Sequence, residues 1–506
     1  MKKIISLVCS LALILSVFAA CGFPEAPAQL KKPTPVKDTF YYDGAEKTLE
    51  LDNNFDPETM DVTGNKAKEP GEYICKVTIK EKEKYVWAGG GHVSIPWKIV
   101  VREPDVVVNP GETFEQNDGD LVLLTPGTYD NLEITAAITI TSGGKAIELD
   151  NAVNVKSDGV EFADIKFTSD GSVNDGLVRI GENSQEIKNI NFEGVTFTDG
   201  TDDGTGNGNG TNCGIFIPKS VSVEGLTLTN CKFTGLKTGI FTTDGPGTYL
   251  RDVTIRGDKP GDAVFENIAV AAFYCEEFEN LTFDTLVFED VYCGISICST
   301  RTHSGDLKIL NCVFNNIGLR ENPNSYSDSS VWSNDGVAIC VQNYNGTYAG
   351  KTYGGTVDNV IIDNVQITNH ARGIYFNGFD GDYYEGRLTN PEDACVIKNI
   401  KISNVNISGF INDALPQTGY YKAFGDFVLE GYFGEFEFEN CTFGVVNICY
   451  LEFIKLDGVM YETQGIDQTD IAEALLALNA STLKITEGIA VYDNALSDPP
   501  YYIPQP

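Results

Sequence analysis

Asp380 and Asp382 stand two residues apart in FNGFDGDYYEG, with Glu385 three further on. Carboxylates so placed on loop backbone suit general acid–base work on a sugar bond, or oxygen ligation of Ca2+. The chain holds three histidines, and two have polar, turn-rich neighbours: His303 in STRTHSGD and His370 in NHARGIYF. An imidazole titrates near neutrality and serves as a base. Arg301 and Arg372 lie within two residues of them. The catalytic set expected from residue type is therefore Asp380, Asp382, His303, His370 and Arg372, against the plainer reading of solvated loop charges. A second set suits binding: Trp332, Tyr344, Tyr375, Tyr383 and Tyr384 offer flat faces to sugar rings, while Asn377 and Arg301 bond hydroxyls. The glycine-rich run 204–210 has no lysine or helix after it, so it is not a phosphate loop.

These residues depend on a repeat for their placement. Apolar-x-apolar, two residues, apolar-x-apolar occurs at Val160/Phe162/Ile165/Phe167, Ile190/Phe192/Val195/Phe197, Leu226/Leu228/Cys231/Phe233 and Leu281/Phe283/Leu286/Phe288. It recurs at Leu307/Ile309/Cys312/Phe314, Val360/Ile362/Val365/Ile367, Ile400/Ile402/Val405/Ile407 and Phe436/Phe438/Cys441/Phe443. Alternation within each half buries one face of a strand, and the step of three between halves demands a bend. Asn230, Asn311, Asn364, Asn404 and Asn440 occupy that bend, where asparagine tolerates a left-handed backbone. A third strand then opens on glycine: Gly214-Ile215, Gly239-Ile240, Gly294-Ile295, Gly336-Val337 and Gly373-Ile374. Three strands and three corners per repeat describe an all-β, right-handed parallel β-helix, stable only when coils stack. Cys231, Cys312 and Cys441 fall on one inward row and read as packing. Cys298 and Cys340 are expected to share an outward row, as free thiols. Insertions at 198–213, 299–306, 317–335, 342–356 and 377–395 flank the glycine-led sheet and spare the asparagine corner, which marks one side as a binding face.

The segment DGDLVLLTPGTYDNLEITAAITI resembles the first coil of pectin-lyase-like β-helices, and the resemblance spans residues 104–455. It implies a substrate groove on the glycine-led sheet. Aligning those strands by their glycines puts Phe216, Phe241, Ser296, Ala338 and Tyr375 on one outward row and Pro218, Thr243, Cys298, Cys340 and Asn377 on the next. Pectate-lyase-like enzymes carry calcium-binding acids and a basic proton acceptor there, and polygalacturonase-like enzymes carry NTD, DD and GHG motifs. This sequence departs from both patterns. The N-terminus resembles a bacterial lipoprotein signal: Lys2 and Lys3, an apolar stretch Ile4 to Phe18, then Ala19-Ala20-Cys21, with Cys21 the implied lipidated residue. Residues 22–35 read as a proline-rich tether. Residues 36–103, with YDG, GEYICKV and IPWKIV, resemble bacterial Ig-like repeats and imply a small β-sandwich. From 456 to 506 a cap is expected, with a short helix in DQTDIAEALLALNAS opened by Asp467 or Thr469.

A formal net charge of −36, or −38 once Lys2 and Lys3 leave with the leader, argues against nucleic acid as a partner. The chain therefore reads as a monomeric, membrane-anchored surface protein, exported by its leader, that presents a β-helix groove to extracellular glycan. A polysaccharide lyase or glycoside hydrolase, with Ca2+ as its possible cofactor, is the enzymatic alternative. A structural stalk is the third.

Overall fold

The computed structural model describes the chain apart from residues 1–26, 42–45, 101–102, 170–174, 200–211, 244–246, 299–303, 320–335, 349–350, 354, 381–394, 412–424, 457, 463–468, 479–481, 493–500 and 504–506. At some strand ends, including Cys298, Tyr344 and Asp380, it describes the backbone alone. Two compact units divide at Glu103/Pro104. In the first, strands Thr39–Tyr41, Val93–Val100, Gly71–Ile79 and Met60–Thr63 form a four-stranded sheet in that order. Alternation in VSIPWKIV and GEYICKVTI buries Val93, Ile95, Trp97 and Ile99 against Cys75, Val77 and Ile79. The Trp97 indole N–H is satisfied by the Gly64 carbonyl at 2.9 Å, so this buried ring leaves no unpaired donor.

The second unit is a right-handed parallel β-helix. The coil strands pair in parallel with their equivalents one coil later, Phe162 with Phe192, Phe192 with Leu228, Leu228 with Ile255, while Lys351–Tyr353, Val459–Glu462 and Tyr501–Ile503 add antiparallel pairings. A single coil cannot cover its own apolar face, and stacking does so continuously. Phe167, Phe197, Phe233, Phe265, Phe288 and Phe314 form one inner column with ring centroids 5.9, 4.7, 4.6, 5.1 and 4.3 Å apart. Each buried ring contributes about 2–3 kcal/mol by leaving water. Asn230, Asn311, Asn364, Asn404 and Asn440 all have φ between 53° and 56°, as the two-residue bend requires. Their amides run coil to coil, Asn364 to Asn311 at 2.8 Å and Asn440 to Asn404 at 2.9 Å. Cys231, Cys312 and Cys441 are buried, and loss of water pushes the Cys231 and Cys312 thiols up to about 12. They are packing residues and poor nucleophiles.

The structure corrects the sequence reading in three places. A further coil lies between the third and fourth of the eight repeats. Val253 and Ile255 lead to Ala263 and Phe265 through a lengthened corner, GDKPGD, which breaks the two-residue spacing. The glycine-led strand expected at Gly336 is out of register by two. Ile339, not Val337, pairs with Ile295 and Ile374, so Ala338 occupies the glycine position. A methyl group suffices there, which is why the glycine signal misled. Ser296 consequently pairs with Cys340, and Cys298 pairs with Gln342, so the two cysteines lie on different rows. Beyond the eighth repeat, helix Thr469–Ala477 buries Ile471, Ala472 and Leu475 against the helix core.

Candidate active site

Three consecutive passes of the chain build the site. Strand Gln366–His370 ends on a buried histidine, Ala371 turns the corner, and strand Arg372–Asp380 joins the glycine-led sheet. One coil later Gly425–Glu439 lies beside it, with Arg372 opposite Gly425, Tyr375 opposite Val428 and Asn377 opposite Glu430. Phe427 and Leu429 enter the core, so alternation sends Val428 and Glu430 outward. Strand Cys441–Leu456 follows with Asn447 next to Val428.

Glu430 is the chemical centre of this face. It keeps partial exposure, yet its carboxyl lies deep enough among Tyr375, Asn377 and Arg372 that loss of water pushes its pKa up to about 7. Three weaker influences oppose that rise: a hydrogen bond from Tyr375, the Arg372 charge, and a hydrogen bond from Asn377. The Tyr375 hydroxyl donates to Glu430 Oε2, and Asn377 Nδ2 donates to that hydroxyl at 2.8 Å. Tyr375, Asn377 and Arg372 are themselves buried, so the chain of donors is held rigidly. The group thus exchanges a proton near neutral pH from a fixed position, the property required of a general acid. Nearby, burial drives the Cys449 thiol well above its ordinary value, with the Glu430 charge acting in the same direction.

A second pair sits at the start of the same strands. His370 Nε2 lies 2.8 Å from Asp426 Oδ1, and both side chains are buried. The approach departs from hydrogen-bond alignment, which leaves it a close electrostatic contact. The other Asp426 oxygen accepts the backbone N–H of Gly444 and, at 3.1 Å, that of Val445.

Of the residues expected from sequence, His370, Arg372, Tyr375 and Asn377 are brought to one end of the glycine-led sheet. Asp380 lies on the same strand, and Tyr344 on the strand before it, through Asn345 opposite Asp380. Cys21, Arg301, His303, Trp332, Asp382, Tyr383, Tyr384 and Glu385 lie outside the described residues. Among the described residues no group of three His, Cys, Asp or Glu side chains is arranged to hold a metal ion. Sequence reasoning missed Glu430, Asp426 and Asn447. The signal was present in GDFVLEG, where Phe427-Val428-Leu429 repeats the alternation of Ile374-Tyr375-Phe376 with Asp426 in the place of Gly373.

The first outward row, in observed register, runs Arg179, Phe216, Phe241, Tyr274, Ser296, Cys340, Tyr375, Val428. Its aromatic part is a stack, Phe216 to Phe241 at 6.1 Å and Phe241 to Tyr274 at 5.2 Å, with Arg179 over Phe216. Ring faces there are spent on one another.

No protein-family model matches the chain, and no curated protein matches it. Among solved structures it is similar to a family 28 exopolygalacturonase of Yersinia enterocolitica, at 10% identity over 92% of this chain and 100% of that one, with a TM-score of 0.31. It is similar to the catalytic domain of a GH87 alpha-1,3-glucanase variant in complex with nigerose, at 14% identity over 76% of this chain and 72% of that one, with a TM-score of 0.29. A mannuronic acid specific polysaccharide family 6 lyase from human gut microbiota matches at 13% identity over 69% and 77%, with a TM-score of 0.24.

Proposed function

We propose that this chain is a carbohydrate-active enzyme that cleaves a polysaccharide on the outward face of its glycine-led sheet, with Glu430 as proton donor to the leaving oxygen. One observation carries the reading: a carboxyl with a pKa near 7, bonded by Tyr375 and backed by Asn377 and Arg372, on the outward face of a β-helix. A carboxylic acid still protonated near neutrality protonates a glycosidic oxygen as the bond breaks, an effect worth roughly 100- to 10,000-fold in rate. Tyr375 and Asn377 hold the carboxyl in one orientation, and Arg372 limits how far its pKa rises.

The test is product release from a panel of neutral and acidic polysaccharides. New reducing ends alone identify a hydrolase; reducing ends with unsaturated sugar identify a lyase. Glu430→Gln should cut either by at least about 100-fold while the protein stays folded. Binding on a glycan array without product from any polymer would replace this reading with a surface receptor, the role suggested by the tether and the aromatic loops. We further propose export and lipid anchoring through Cys21. Among the described residues no helix is long and apolar enough to cross a membrane. Metabolic labelling with palmitate that survives Cys21→Ala would remove the anchor.

A further inference from the structure

The start of strand Gly425–Glu439 holds an unusual residue. Where neighbouring coils place Ala272, Gly294, Ala338 and Gly373, this coil places Asp426. A recess is built for its carboxylate. Gly444 faces it so closely that an added Cβ would stand 2.6 Å from Oδ2, and the Gly444 and Val445 amides point at the same oxygen. The other oxygen meets His370, whose Nδ1 has no partner. Well-packed apolar residues are generally at least as stabilising as a buried ionic contact, so stability alone gives no reason for this arrangement.

Its position supplies one. Arg372 follows His370 by two residues and lies opposite Gly425, the neighbour of Asp426. The Arg372 charge also acts on Glu430, four residues beyond Asp426. Arg372 thus begins its strand beside the residue that precedes Asp426, while its charge acts on Glu430 further along. An unoccupied, buried Asp426 would draw Arg372 to itself. His370 occupies Asp426 instead. The contact also ties the corner that starts strand Arg372–Asp380 to the start of strand Gly425–Glu439, the two strands across which Tyr375 reaches Glu430.

We propose that His370, acting through Asp426, is a positioning residue: it keeps Arg372 turned to Glu430 and holds the two strands in the register that lets Tyr375 bond the Glu430 carboxyl. The ionisable groups around it are Arg372 and Tyr375 from its own pass of the chain, Asp426 and Glu430 from the next, Cys449 from the one after, and Glu487, whose Oε1 lies 3.4 Å from a Cβ built on Gly444. The inference rests on Glu430 being the proton-active group of this face. Its test reads Glu430 titration rather than turnover, so the two ideas fail separately.

Urea unfolding across about pH 5 to about pH 9, on the full chain and on the same chain with Glu430→Gln, isolates the Glu430 titration as the difference between the two. His370→Gln leaves Asp426 to capture Arg372, and the Glu430 midpoint should move up by about one pH unit. Asp426→Asn releases Arg372 and should move it down, and the His370→Gln/Asp426→Asn double variant should follow Asp426→Asn. If Asp426→Asn does not fold, His370→Asn provides the second comparison, with the same upward shift expected. A Glu430 midpoint that stays in place in both single variants, with their stability changes additive to the change made by Glu430→Gln, would reduce the pair to a structural strut and overturn the proposal.

Discussion

Glu430 couples proton binding to folding. Its ordinary value of 4.5 rises to about 7 in the folded chain, so the folded state holds the proton more tightly than the unfolded one. Stability from this group is complete below pH 4.5 and disappears as pH climbs through 7. The ceiling is about 3 kcal/mol, lowered by the partial exposure of the side chain. Glu430→Gln should therefore be more stable than the parent at pH 8 and no more stable at pH 4, a crossing that urea melts at the two pH values would reveal. Parallel melts at every pH would place the carboxyl in an environment close to water. Tyr375→Phe removes a bond that favours the ionised form, so the loss of stability should continue to higher pH before it levels off.

Corners and columns, more than individual strands, hold the β-helix together. Asn364 has a φ of 53° and donates to Asn311. Asn364→Ala keeps neither the tolerance for that backbone nor the amide contact, and should cost about 2 kcal/mol in a urea melt. Asn364→Gly restores the backbone freedom and should recover about half of it. In the phenylalanine column, Phe265 touches rings in both directions, and Phe265→Ala should cost about 3–5 kcal/mol. On another face a charge ladder alternates Lys188, Glu224, Arg251 and Glu279 at 3.2, 3.3 and 2.9 Å. These side chains are a third or more exposed, so the ladder contributes little and chiefly separates like charges in an acidic protein. Gly373 has a stricter duty. A side chain there would strike the Asp426 carbonyl, so this glycine sets how closely the two strands of the candidate site approach.

At the scale of the molecule, a net charge of −36 repels itself. Raising salt from about 10 mM to about 150 mM shortens the screening length and should raise the melting temperature by a few degrees. Equal melting temperatures at the two salt levels would mean that local pairs such as Lys156 with Glu133 and Glu182 already compensate the charge. The long axis of stacked coils also explains why residues far apart in sequence meet. His370, Arg372, Tyr375 and Asn377 belong to one coil and Asp426 and Glu430 to the next, separated by a connection that includes residues 412–424.

The repeat was legible because burial imposes alternation and the bend imposes asparagine. Both are local requirements, and the eight doubled pairs from Val160 to Phe443 carry them openly. The buried cysteine row was legible for the same reason. Register along the glycine-led sheet was not, since Ala338 fits the glycine position as well as Gly294 does, and only hydrogen-bonded pairing distinguishes Gly336 from Ala338. The additional coil at Val253 was hidden by six residues in its corner. Residue type singled out His370, Arg372, Tyr375 and Asn377, but the alternation Phe427-Val428-Leu429 that leads to Glu430 opens on Asp426 rather than on glycine, which hid the next strand of that sheet. Sequence alone determined that the chain coils and which atoms face the core. Which side chains share a proton was decided by the stacking of one coil on the next, because that contact sets Tyr375, Asn377 and Arg372 around Glu430.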